Sequence, residues 1–325
     1  MVVGRAVVSA IDIGTPPSLH MAHADGPGAA CQRFARTNFK MTRTWATAVC
    51  VLLAAGCGNA GSETPSGSSQ VVRTDQTMGQ DMREDLELLS RTRIMFGHQS
   101  VGSNILEGMS LLAGDHGVPL RILGWKDEGW STDVAFSHRD LGENGDAKGK
   151  IDDFEAIIRN MEGQRPDVAV MKFCYLDIVE STDVPELFEY YREKLDGLRR
   201  DFPETVFVHT TVPLTTRRPV RLKEVVYRLR YPEERSVGSA VRRSEFNDLL
   251  RTHYGSDPVF DLARAEATLP GGDRVTFEHE GRSYDALGKG YTWDGAHLNE
   301  VGKRTMAAEM AKALAGAVRA GADRP

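Results

Sequence analysis

The chain has 325 residues, of which 41% are hydrophobic and 26% charged, an ordinary globular composition with room for one large domain or two small ones. A formal charge of -6 excludes the basic footprint of a nucleic-acid binder. The four cysteines (Cys31, Cys50, Cys57 and Cys174) make no CxxC pair and no Cys/His spacing for zinc, so no metal site is expected.

Residues 1–40 carry Pro16-Pro17 and scattered Gly and Ala with no helical or strand period. They read as an extension ahead of a true start at Met41. Residues 41–57, MTRTWATAVCVLLAAGC, supply a basic start at Arg43, an apolar run from Trp45 to Ala55, and small residues before Cys57. Those are the parts of a secretory signal. The run is shorter than the roughly 20 apolar residues needed to cross a bilayer. Leu53-Ala54-Ala55-Gly56-Cys57 resembles the bacterial lipobox. The resemblance implies cleavage before Cys57, lipid on its thiol, and anchoring to a membrane of the cell envelope, which is stable with two or more acyl chains. Cys174 is then the only thiol left in the folded part, so no internal disulfide is expected. Residues 58–84 are expected to be a flexible linker, because Gly58 to Gln70 is rich in Gly, Ser and Thr and has no large apolar residue.

From residue 85 to 318 strand-like and helix-like patterns alternate. Arg93 to Phe96 is a short apolar strand candidate, and Ile105, Leu106, Met109 and Leu112 mark one face of a helix. Pro119 to Leu123 is a second strand candidate, followed by a long polar loop from Gly124 to Lys150. Ile151, Phe154, Ile157, Ile158 and Met161 lie on one helical face. Asp167 to Phe173 is near-continuously apolar, as strands buried on both faces are. A helix over 184–201, a strand over 206–211, an Arg-rich connection from Arg217 to Arg243, a helix around Phe246, a strand over 259–262 and a last helix over 299–318 complete the pattern. Such alternation predicts one α/β domain with a parallel five-stranded sheet between helical layers.

Ligands of open α/β sheets bind at the carboxyl ends of the strands. Two polar blocks fall there. Gly97-His98-Gln99-Ser100-Val101-Gly102 follows the first strand and opens a helix, so Ser100 sits on a strand-to-helix turn backed by unpaired N–H groups. Trp293-Asp294-Gly295-Ala296-His297-Leu298 precedes the last helix. A serine hydroxyl needs an adjacent base, and a histidine serves when a carboxylate fixes its tautomer. Ser100 also has a plain reading as a helix cap, and His297 as a surface residue.

The D-G-x-H-L block before a C-terminal helix, with a serine block at the first strand, resembles the SGNH (GDSL-like) hydrolase superfamily over residues 90–318. The resemblance implies a three-layer flavodoxin-like fold, esterase or acetylesterase chemistry without a cofactor, and a triad of Ser100, Asp294 and His297. It further implies a small-molecule or carbohydrate ester, an O-acetylated sugar above all, as substrate. The chain departs from the pattern in two places. G-H-Q-S replaces the usual G-D-S, and Cys174-Tyr175-Leu176-Asp177 stands where an oxyanion-hole Asn is expected. Gly142, Asn144 and Gly145 are the candidates for the remaining oxyanion or substrate contacts, with Gln99, Lys172 and Asp177 as further ones. His98 and Gln99 read equally well as packing partners of the turn. Lys172, a charge in an apolar strand, is expected to pair with Asp177 or reach the site rim. The Arg-rich run reads as solvated. Trp125, Trp130 and Phe136 read as either core or a sugar-stacking wall. The rival function is a non-catalytic glycan-binding lipoprotein on the same fold. A nucleotide-binding protein is disfavoured because no Gly-rich phosphate loop follows the first strand.

Overall fold

The computed structural model describes residues 68–322, apart from residues 162, 164 and 218–235. The extension 1–40, the signal segment with Cys57, and most of the Arg-rich connection lie outside the described residues.

The strands are β1 (Ile94–His98), β2 (Ile122–Gly124), β3 (Phe136–Asp140), β4 (Val168–Met171), β5 (Val206–Thr210) and β6 (Val259–Phe260). They form one parallel sheet in the order β2-β3-β1-β4-β5-β6. The helices are α1 (Ser68–Leu89), α2 (Val101–Asp115), α3 (Ala147–Asn160), α4 (Val184–Asp201), α5 (Val237–His253), α6 (Leu262–Ala267) and α7 (Glu300–Ala322). A separate antiparallel hairpin joins β7 (Thr276–His279) to β8 (Arg282–Asp285).

Period-two alternation sorts the sheet's side chains into two cores. Ile94, Phe96, Val168, Val170, Val206 and Val208 pack on one face with α1, α2 and α7. Met95, Ala169, Met171 and Phe207 pack on the other with α3, α4 and α5. Each fully buried large apolar side chain contributes about 1.5–3 kcal/mol, and both faces are covered, which is why the strands are apolar throughout. Helix starts follow local chemistry. Asp146, Asp183 and Ser236 accept hydrogen bonds from the backbone N–H groups of Gly149, Glu186 and Ser239.

The expected fold class holds, with two corrections. The sheet has six strands rather than five, because the polar loop after Gly124 contains β3 (Phe-Ser-His-Arg-Asp), which pairs with β1. Setting the edge strand β2 aside, the remaining order is the flavodoxin-like one. The linker expected over 58–84 does not extend to residue 84, since α1 covers Ser68–Leu89 and buries Met82, Leu86 and Leu89 in the first core, and residues 58–67 lie outside the described residues.

Candidate active site

The chain leaves β1 for β3 on one side of the sheet and later reaches β4 on the other. The crevice at such a switch point is where open α/β sheets bind ligands, and Ser100 stands at its edge. Its backbone has φ 30° and ψ -82°, a left-handed conformation that costs a non-glycine residue about 1–3 kcal/mol. Ser100 holds the cap position of α2, yet its side chain makes no capping hydrogen bond. The hydroxyl is therefore not spent on the helix, and the plain reading of Ser100 as a cap fails.

The surrounding block is packed to hold this turn. A Cβ on Gly102 would lie 2.4 Å from His98 Cβ, so only glycine lets the first turn of α2 cross β1 there. Gln99 donates its side-chain amide to the carbonyls of Leu141 and Gly142, both at 2.8 Å. Those bonds tie the turn to the segment leaving β3, so Gln99 is a packing partner rather than a substrate donor. His98 is buried and shares a 3.0 Å hydrogen bond with His138. Burial, with His138 and Lys172 nearby, holds its pKa down to about 2, so it is neutral and structural.

The second block forms a closed local unit. Asp294 Oδ1 accepts from the N–H groups of Ala296 and His297 at 2.9 and 2.8 Å, and Oδ2 lies 2.7 Å from His297 Nδ1. Partial burial opposes the charge on Asp294, but the imidazole and the two N–H donors outweigh it and hold the carboxyl well below its usual range. An ionised carboxylate can only accept, so Nδ1 carries the proton and Nε2 is left as the basic nitrogen. Thr292 braces the loop by donating to the His297 carbonyl at 2.6 Å.

Packing brings the two blocks together. Asn104, one turn into α2, accepts from the Leu298 N–H at 3.1 Å. A Cβ on Gly108 would lie 2.1 Å from the Lys303 carbonyl, so a glycine lets α7 lie against α2 at this depth. The Thr216 N–H, beyond β5, donates to the Gly295 carbonyl at 2.8 Å. Beyond β4, Cys174 and Tyr175 pack against Ala296, and the Tyr175 ring meets the His297 ring edge-on at 6.2 Å. Cys174 Sγ lies 4.0 Å from Ser100 Oγ. Both blocks thus stand on the carboxyl rim over β1, β4 and β5. No hydrogen bond joins Ser100 Oγ to His297; the nearest polar contact of the hydroxyl is Cys174 Sγ.

The other candidates sort differently from expectation. Asp177 pairs with Lys150, which the sequence did not single out; both side chains are fully buried and Nζ lies 2.8 Å from Oδ2. The same ammonium donates to Asn144 Oδ1 at 2.8 Å, and Asp177 also accepts from the N–H groups of Gly145 and Cys174. Lys172 instead donates to the Phe173 carbonyl at 2.8 Å inside the protein and does not reach the rim. Burial lowers its pKa despite the nearby Cys174, Asp177 and Glu266. The N–H of Gly142 is taken by Asp153 and that of Gly145 by Asp177, so neither is open to an oxyanion. Asn144 is exposed, and its side-chain oxygen is held by Lys150.

Four further residues correct or sharpen the sequence reading. Arg243, grouped with a solvated run, is fully buried and donates to the Tyr175 carbonyl at 2.9 Å. Phe136 is core, and Trp130 donates to the His138 carbonyl at 3.0 Å. Trp293, noted only as a neighbour of Asp294, is 67% exposed and stacks on His297. Nothing in composition or period marks it.

No family model matches the chain, and no curated protein matches it. Among solved structures it is similar to a protein provisionally described as a platelet activating factor from Streptococcus pneumonia. That match has 14% identity, 77% of this chain, 100% of the other and a TM-score of 0.45. A mutant acetyl esterase crystallised with acetate ion matches at 11% identity over 70% of this chain and 99% of the other, TM-score 0.42. A possible lipase from Chitinophaga pinensis matches at 14% identity over 70% and 97%, TM-score 0.34. Likeness at this level carries no weight here, and the site stands on its own distances.

Proposed function

We propose that the chain is a serine esterase of the SGNH type, acting by acyl transfer to water. The reading is supported above all by one juxtaposition. A serine held in a strained turn, its hydroxyl making no bond to its own helix, shares the sheet's switch point with a histidine whose Nδ1 is fixed by an ionised carboxylate, 2.7 Å away.

In this mechanism Ser100 Oγ attacks the ester carbonyl as His297 Nε2 takes its proton. The oxyanion accepts from the Ser100 N–H at the head of α2 and from the Asn144 amide. Collapse breaks the ester bond, and His297 returns the proton to the departing alcohol. Water then repeats the sequence on the acyl-serine, with His297 again as base, and releases the acid. Asp294 stays ionised throughout and stabilises the imidazolium. The chemistry calls for no cofactor. The lipid anchor on Cys57 and a place at the cell envelope belong to the same proposal and rest on the motif at residues 53–57.

The test is turnover of ethyl acetate by the folded chain. Hydrolysis should fall to background in Ser100→Ala and in His297→Ala, with the melting temperature of each near that of the parent. A folded parent that turns over no acetyl ester would return the chain to the glycan-binding reading.

A further inference from the structure

A helix packed on a sheet turns an apolar stripe inward. α5 does so with Phe246 and Leu250, which lie in the second core. Beside them runs a second stripe that is polar. Ser239, Arg243 and Asn247 follow at four-residue spacing, which places them on one face of the helix, and all three are buried. Their bonds go to the segments that leave the carboxyl ends of β4 and β5. Ser239 Oγ accepts from the Glu180 N–H at 2.9 Å. Asn247 bonds both main-chain groups of Val212, accepting from its N–H at 2.7 Å and donating to its carbonyl at 3.1 Å. Arg243 donates to the carbonyls of Tyr175 and Ile178 at 2.9 and 3.3 Å, and to Thr215 Oγ1 at 3.2 Å.

Arg243 thus spans two segments, one beyond β4 and one beyond β5, and both adjoin the histidine loop. The Tyr175 ring meets the His297 ring edge-on, and Cys174 and Tyr175 pack on Ala296. Thr215 precedes Thr216, whose N–H donates to the Gly295 carbonyl at 2.8 Å. The flat fork of a guanidinium suits this task, because it fixes its acceptors at set angles, which an ammonium on a flexible stem does not. Burial lowers the Arg243 pKa from 12.5 only to about 10, so the group is charged at neutral pH and donates from every N–H. A buried charge is a poor source of stability, because desolvation offsets what its bonds return. An apolar side chain of similar volume would serve the packing of α5 as well, so this charge calls for another role.

We propose that Arg243 is a positioning residue for the reaction: by holding the Tyr175 and Thr215 segments together, it sets where the Asp294–His297 unit stands relative to Ser100. This rests on the esterase reading and extends the machinery to a helix that supplies none of the reacting groups.

The experiment compares Thr215→Val and Arg243→Lys with Asn247→Ala, by turnover of ethyl acetate and by urea unfolding. Thr215→Val keeps the shape of the side chain and removes the hydroxyl that the guanidinium holds. Arg243→Lys keeps the charge and loses the fork. Asn247→Ala lies in the same stripe, but its bonds go to Val212 rather than to a neighbour of the histidine loop. In Thr215→Val and Arg243→Lys kcat should fall about tenfold with KM unchanged, a fraction of the roughly 10²-fold that a misplacement of about 1 Å costs. Asn247→Ala should lose stability and keep its kcat. An unchanged kcat in Thr215→Val overturns the proposal, whether or not Arg243→Lys folds. An equal fall in Asn247→Ala overturns it too, since that would mean general loosening. A second arm needs no substrate. In the Ser100→Ala background, the proton between His297 Nδ1 and Asp294 is followed by NMR, and its exchange with water reports local opening of the loop. Exchange should quicken when Thr215→Val is added and stay unchanged when Asn247→Ala is added. Equal rates in the two overturn the proposal. Because this arm holds for a chain that hydrolyses nothing, failure of the esterase reading and failure of the positioning role give different results.

Discussion

The rim of the sheet carries two pairs of opposite charge potential that differ in almost every physical respect. Asp294 and His297 are three residues apart, with side chains 23% and 30% exposed, and their loop is closed by its own backbone N–H groups. Lys150 and Asp177 are 27 residues apart, fully buried, and bond the loop after β3 to the loop after β4. In the first pair only Nδ1 of the imidazole is committed to the carboxylate, and the ring stays partly exposed. In the second, the ammonium's three protons and both carboxylate oxygens are committed. A pair that does chemistry must keep something open, whereas a pair that holds loops in place must keep nothing open. That difference separates the candidate machinery from its support without reference to any other protein.

The largest effect that would sharpen this contrast is on rate. Asp294→Asn keeps an oxygen for the two backbone N–H groups but loses the charge that fixes the imidazole tautomer. The expected outcome is a fall in kcat of about 10⁴-fold, with the melting temperature little changed, read from ester hydrolysis and thermal unfolding of the same sample. A large loss of stability with a small loss of rate would make Asp294 a structural residue.

The second pair should behave in the opposite way. Lys150→Met leaves Asp177 buried without its cation, which costs about 3–5 kcal/mol, measured by urea unfolding. Adding Asp177→Asn removes the unpaired charge while keeping acceptors for Gly145 and Cys174, and should restore most of that loss. A single variant as stable as the parent would show that the hub supports nothing.

The last effect is read as a trend with pH and concerns Glu266, buried in the protein, where its carboxyl oxygen accepts from the Leu214 N–H at 2.6 Å. Burial raises its pKa from 4.5 to about 8, against the pull of that N–H and of Lys172 and Arg243. The unfolded chain releases this proton first, so Glu266 reduces stability progressively as pH rises through that window. Glu266→Gln cannot ionise. Its melting temperature relative to the parent should therefore improve steadily from about pH 5 to about pH 8, and a gap that stays constant would place the carboxylate in its ionised form throughout.

How much of this was legible in the sequence follows from distance along the chain. The strands buried on both faces announce themselves as apolar runs, and β1, β4 and β5 fall where those runs lie. The Asp294–His297 unit is legible because its partners sit in one turn. β3 was missed because Phe-Ser-His-Arg-Asp has neither alternation nor a run of branched residues; its place is set by pairing with β1. Lys150 and Arg243 were missed for a related reason. A lone cation at a helix start, or within an Arg-rich stretch, looks solvated until the fold brings a distant carboxylate or carbonyl to it. Lys172 shows the converse. It was recognised as anomalous, but its partner is the adjacent Phe173 carbonyl rather than the carboxylate five positions on.

The central claim is that Ser100 is a nucleophile activated by His297. Exposing the folded chain to a fluorophosphonate and weighing its peptides tests this most directly, because such a reagent traps a serine only where a base and an oxyanion site are in place. The account predicts one phosphonyl group, on Ser100, absent from Ser100→Ala and formed far more slowly in His297→Ala. No adduct on the folded parent, or one that persists when Ser100 is replaced, would contradict it.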